Sequence, residues 1–100
     1  MSQTVDPAVP YGASRVDRIR AVVQDALRPV TLEIRDDSAA HVGHVGGGGK
    51  GHFRLLIVSD AFTGKTLMQR HRLVHEALAM LIETDIHALV LSTRSPNEVS

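Results

Sequence analysis

Residues 52–59 read His52-Phe53-Arg54-Leu55-Leu56-Ile57-Val58-Ser59, and residues 86–93 read Ile86-His87-Ala88-Leu89-Val90-Leu91-Ser92-Thr93. Both runs have the length and the aliphatic, β-branched content of strands. In the first, Phe53, Leu55 and Ile57 share a face while Leu56 and Val58 lie opposite, which argues for a central strand whose second face is partly covered. Between the two runs, Thr66 with Gln69 three residues later fits a capping box. Leu67, Met68, Val74, Leu78, Leu81 and Ile82 then form one apolar stripe, predicting a single helix to about Glu83. A strand, a helix and a strand in that order predict a parallel pair joined by a right-handed crossover.

Upstream, Ser14 followed by Asp17 fits a second capping box, and Val16, Ile19, Val22, Val23, Ala26 and Leu27 recur at helical spacing. A first helix is expected from Arg15 to Leu27, ended by Pro29. From Val30 to Arg35 the pattern alternates strictly, with Val30, Leu32 and Ile34 on one face and Thr31, Glu33 and Arg35 on the other. The expected order is αββαβ, an α/β (α+β) domain over residues 14–98 with a three-stranded mixed sheet covered by helices on one face. Residues 1–13, broken by Pro7 and Pro10, read as a disordered tail. Residues 36–51 hold six of the eight glycines together with His41 and His44 and read as a long loop.

The composition narrows the function. A chain of 100 residues has room for one modest core and one site. Eleven basic and eleven acidic residues cancel, so any nucleic-acid contact must come from a local patch rather than from bulk charge. There is no cysteine, which excludes thiolate catalysis, disulfides and a self-sufficient thiolate metal cage. No apolar run approaches the roughly 20 residues that span a bilayer, and a cytoplasmic protein is the simplest expectation.

Motifs that resemble nucleotide sites fail on context. Gly46-Gly47-Gly48-Gly49-Lys50-Gly51 leads into a strand, whereas a dinucleotide-binding turn opens a helix. Gly64-Lys65-Thr66 does lie between strand and helix, but Ser59 stands where the first glycine of a P-loop belongs. Among the histidines, His71 and His75 share a helical turn and read as structural or solvent-facing. His87 falls in phase with Leu89 and Leu91, so it reads either as a core histidine satisfied by hydrogen bonds or as a ligand. Lys65, Arg70 and Arg72 could form a basic patch with Arg54, against the ordinary reading of a solvated helix face. Three aromatic residues are too few for a stacking platform on single strands.

Phe62-Thr63-Gly64-Lys65, Gln69-Arg70-His71-Arg72-Leu73-Val74 and Ile86-His87-Ala88-Leu89 together resemble the BolA-like family. Ser59-Asp60, Leu32-Glu33-Ile34 before Asp37-Ser38, and His52-Phe53-Arg54 agree with the same pattern, so the likeness covers about residues 15–98. The resemblance implies a class II KH-like fold and a non-enzymatic role. Members of the family pair with monothiol glutaredoxins and share a [2Fe-2S] cluster in assembly, trafficking or iron regulation. Others are described as DNA-binding transcriptional regulators of cell shape and stress response.

For the first role, the resemblance implies cluster ligation by His87 and by a loop histidine, best matched by His41 with His44 as its rival. Glutaredoxin and its bound glutathione would supply the thiolates, and two imidazoles on one iron would raise the potential as in Rieske centres. Arg70, His71 and Arg72 would belong to the docking face, and the apo chain could form a homodimer. For DNA, Lys65, Arg70 and Arg72 are the phosphate-contact candidates, because every Gly-x-x-Gly lies between two strands rather than between two helices. The chain departs from the family pattern in its glycine-run loop and in Val99, where a tryptophan is usual.

Overall fold

The structure is a computed structural model, and it describes residues 14–38 and 50–99. The expected tail over 1–13 lies outside the described residues, as do His41 and His44 of the glycine-rich loop. The elements run α1 (Arg15–Leu27), β1 (Thr31–Asp36), β2 (Gly51–Val58), a 3-10 turn (Asp60–Phe62), α2 (Leu67–Ala77), α3 (Ala79–Thr84), β3 (Ile86–Arg94) and a last 3-10 turn (Pro96–Glu98). The sheet order is β1-β2-β3, with β1 antiparallel and β3 parallel to the central β2.

Helix α1 begins where the Ser14 hydroxyl accepts the Asp17 N–H at 3.1 Å. It ends at Leu27, two residues before Pro29, because Arg28 takes a left-handed conformation at φ 45° and donates its N–H to the Gln24 carbonyl. The helix buries Ile19, Val23 and Leu27 against the sheet, while Ala26 faces solvent. Helix α2 opens with the complete capping box expected: the Thr66 hydroxyl accepts the Gln69 N–H at 3.1 Å and the Gln69 side chain accepts the Thr66 N–H at 2.9 Å. The core joins Phe53, Leu55 and Ile57 of β2 to Ile19, Val23, Phe62, Val74 and Leu78. Helices therefore cover the Phe53 face of the sheet, and the opposite face carries Glu33, Arg35, Arg54, Leu56 and Val90.

The structure differs from the sequence expectation in four places. The expected single helix is broken at Leu78, whose backbone leaves helical values (φ −96°, ψ 9°) while its side chain is fully buried. Core burial of Leu78, with Leu81 and Ile82 packing against the same cluster, prevails over continuity of the helix. Leu67 and Met68, counted in the apolar stripe, are 63% and 72% exposed and lie outside the core. Val30 is likewise exposed and precedes the strand, although its N–H donates to the Val58 carbonyl at 2.8 Å.

The fourth difference concerns β3. Gly51 pairs with Ile86, but His52 pairs with Ala88, so His87 is an extra residue in the ladder. This bulge breaks the alternation. Ile86 turns into the core at 3% exposure, and His87 is exposed rather than in phase with Leu89 and Leu91. Of the two readings of His87, the core histidine is thereby excluded.

The bulge depends on Gly51. A Cβ there would lie 2.6 Å from the Phe53 ring and 2.7 Å from the Ser38 hydroxyl oxygen. Phe53 is 2% exposed and cannot swing away. Gly51→Ala is therefore expected to lower stability by about 1–3 kcal/mol, as overpacking does. The check is a drop in the urea midpoint at unchanged slope; a midpoint equal to wild type would contradict the tight packing.

Candidate metal and partner site

The bulge brings two imidazoles together. His52 and His87, on neighbouring strands, have ring centroids 5.1 Å apart and ring planes at 63°. The backbone around them is pinned from three sides. The His52 N–H donates to the Ser38 hydroxyl at 3.0 Å, the His52 carbonyl accepts the Asp37 N–H at 2.8 Å, and the Gly51 N–H donates to the Asp85 carbonyl at 2.9 Å. Ser38 is itself held by its N–H to the Asp36 carboxylate at 2.9 Å, and hydrogen bonds from Ser38 keep that carboxyl below its usual range. The two ends of the glycine-rich loop are thus anchored beside the histidine pair.

Asp85, two residues before His87, ties this corner to α1. Its carboxylate accepts from Arg18 at 2.7 Å, Arg15 at 3.1 Å and the Thr84 hydroxyl at 2.8 Å. Burial alone would raise its pKa, but the hydrogen bonds from Thr84, Arg18 and Arg15 outweigh that and the net direction is downward. Asp37 lies between Arg35 at 3.5 Å and Arg54 at 3.4 Å. The Asp85 and Asp37 carboxylates are therefore each engaged by guanidinium groups. Among the described residues no cluster of three or more His, Asp or Glu is arranged to hold a metal ion.

The basic run on α2 is divided by the helix. The Arg70 guanidinium is turned in, donating to both Glu98 oxygens at 2.7 and 3.1 Å, to the Lys65 carbonyl at 3.0 Å and to the Thr93 carbonyl at 3.3 Å. Arg72, with Lys65, Gln69, Leu73 and Glu76, lines a shallow depression on the outer side of the helix. Arg54 projects from the sheet face opposite the helices, so it does not join Arg72 in one patch, in keeping with the ordinary reading of a solvated helix face. His71 and Thr93 border a groove of about 520 Å³ with Arg70 and Glu98. The His71 Nε2 and Thr93 hydroxyl atoms are buried there with no hydrogen-bond partner.

A family profile described as BolA-like protein matches residues 23–98. The chain belongs to the BolA-like family. It is 44% identical to human BolA-like protein 1 over 78 residues, 78% of this chain and 56% of the relative. It is 39% identical to the DNA-binding transcriptional regulator BolA of Escherichia coli K12, covering 82% of this chain and 76% of that one. Among solved structures, the BolA domain of SufE1 from Arabidopsis thaliana superposes with a TM-score of 0.76 at 45% identity, covering 85% of this chain and 95% of that chain. The chain spans only 25% of the full SufE-like protein 1 of the same plant and 56% of the mammalian relatives.

Within this BolA-like chain, the residues singled out from sequence fall in two places. His87 stands at the bulge, while Arg70, His71 and Arg72 lie on α2, and the loop histidines are outside the described residues. His52 was passed over because it merely opens a strand. Only the register shift, which no periodicity reveals, turns His87 toward it.

The Arg70–Glu98 pair gives this BolA-like chain an acid-sensitive contact. The Arg70 guanidinium, followed by the Ser95 N–H, lowers the Glu98 carboxyl from 4.5 to about 2. A depressed folded-state pKa stabilises the fold fully above the unfolded value and loses that contribution as pH falls through the folded one. Wild type is therefore expected to lose stability between about pH 4.5 and pH 2 through this group. Glu98→Gln should show a shallower fall over that window in thermal melts, and identical pH profiles would refute the contact.

Proposed function

We propose that this BolA-like chain is a non-enzymatic iron-sulfur accessory protein that docks a monothiol glutaredoxin and helps hold a shared [2Fe-2S] cluster. The observation that carries the reading is the exposed His87 imidazole, displaced from the core face by a bulge and set on an edge strand where a partner can approach. A chain without cysteine offers no thiolate, so a cluster on it requires thiolates from outside, here from glutaredoxin and glutathione.

The second ligand in this reading is His41, with His44 as its rival. The chain enters the loop from Ser38, whose hydroxyl accepts the His52 N–H at 3.0 Å. When bound, the cluster would supply electron-accepting iron with a potential raised by imidazole ligation. The chain's own part is to present His87, to anchor the loop ends through Ser38 and Gly51, and to offer the outer side of α2 around Arg72 for docking. His71 and the Arg70–Glu98 clip support that surface from behind. A cytoplasmic location and an apo homodimer belong to the same proposal.

The other reading, a DNA-binding transcriptional regulator, draws on the name of the E. coli relative. It would use Lys65, Arg70 and Arg72. Arg70 is already held by four hydrogen-bond contacts, which leaves two cations for phosphate, and this favours the cluster reading.

The test is to mix the chain with cluster-loaded monothiol glutaredoxin and follow visible circular dichroism. Wild type should change the spectrum on mixing and His87→Ala should not. An unchanged wild-type spectrum, or a full response from His87→Ala, would reject the proposal.

A further inference from the structure

The loop histidines explain one way of completing a site at His87, but the described residues contain another imidazole much closer. His52 and His87 have ring centroids 5.1 Å apart, with planes inclined at 63° rather than stacked. Two imidazoles bound through nitrogen to one ion at about 2.0–2.1 Å hold their ring centroids roughly 4.5–5.2 Å apart, the lower end for cis ligands of a tetragonal ion and the upper end for a tetrahedral one. The observed 5.1 Å falls within that range.

The backbone at both residues is fixed by the bulge, by Ser38 and by the Asp85 carbonyl, so the pair is preorganised. We propose that His52 and His87 form an open two-imidazole chelate for a divalent transition-metal ion on the isolated chain, with water completing the coordination.

The donor set selects the ion. Both ligands are imidazole nitrogen, and the neighbouring carboxylates of Asp85 and Asp37 are taken up by arginines. Oxygen-seeking calcium and magnesium are therefore disfavoured, and imidazole ligation favours copper(II) over nickel(II) and zinc(II). The site requires no glutaredoxin, glutathione or loop histidine, so it stands or falls apart from the shared-cluster reading. Because the ion uses His87, its binding and cluster sharing compete for one imidazole.

The experiment is a titration of the full chain with copper(II) at neutral pH, read by calorimetry and by NMR of the histidine rings. One saturable site is expected, with paramagnetic broadening appearing first at the His52 and His87 rings of the folded wild type. His52→Gln and His87→Gln should each abolish the saturable phase, while His75→Gln, on the exposed side of α2, should retain it. Broadening that begins at His41, His44 or the amino terminus would overturn the proposal, as would saturable binding that survives His52→Gln. The wild-type broadening pattern identifies the ligands even if a variant fails to fold. Copper binding without a glutaredoxin response would leave this site standing and remove the cluster reading, and the reverse result would do the opposite.

Discussion

One residue too many in β3, accommodated because Gly51 has no side chain, sets the relation between the core and the surface of this molecule. Parallel strands in perfect register would continue the Leu89, Leu91 and Thr93 row back through His87, placing an imidazole under α1 and α2. The bulge turns Ile86 inward instead, and Ile86 closes the end of the apolar cluster. The same step places His87 outside and next to His52. Burial of an aliphatic side chain and presentation of a polar one are thus two results of one backbone irregularity. Phe53 and Ser38, packed against the missing Cβ of Gly51, keep that irregularity in place.

The fold was largely legible because its signals are local and repeated. Alternation around Leu55, the Thr66–Gln69 capping box and the stripe through Val74 and Leu78 each specify an element, and together they fix the αββαβ order. The break at Leu78 was not legible, since nothing in residues 66–83 is a helix breaker. It arises from the demand that Leu78, Leu81 and Ile82 reach one core from a chain that must then turn into β3. The site was legible in its main residue and obscured in its geometry. His87 could be picked out, but strict alternation assigned it to the wrong face, because a bulge has no signature in hydrophobic period. Arg70 and Arg72 read as equivalent cations in sequence. Two residues apart on a helix they point in different directions, and only one meets Glu98.

The surface divides into regions of different chemistry. One face of the sheet is covered by helices, and its other face carries Arg35, Arg54 and Glu33 around Leu56 and Val90. The histidine pair lies at the end of β2 and β3 where the loop is anchored, and the Arg70–Glu98 clip closes onto α2 near the opposite end of β3. The BolA-like fold therefore separates the groups that suit metal chemistry from those that tie the last 3-10 turn to the domain. Substitutions in the two regions should be largely independent of one another.

The turn from Ser59 to Thr66 carries a last consequence. Its likeness to a phosphate-binding loop was set aside because Ser59 replaces a glycine, and the structure shows what that serine does. Its hydroxyl donates to the Leu27 carbonyl and accepts the Ala61 N–H, while Thr66 and Gln69 occupy each other's N–H groups at the start of α2. An anion arriving at this helix end would have to displace the chain's own side chains from the donors it needs. The turn is a self-ligated version of an anion cradle, in which the protein is its own occupant.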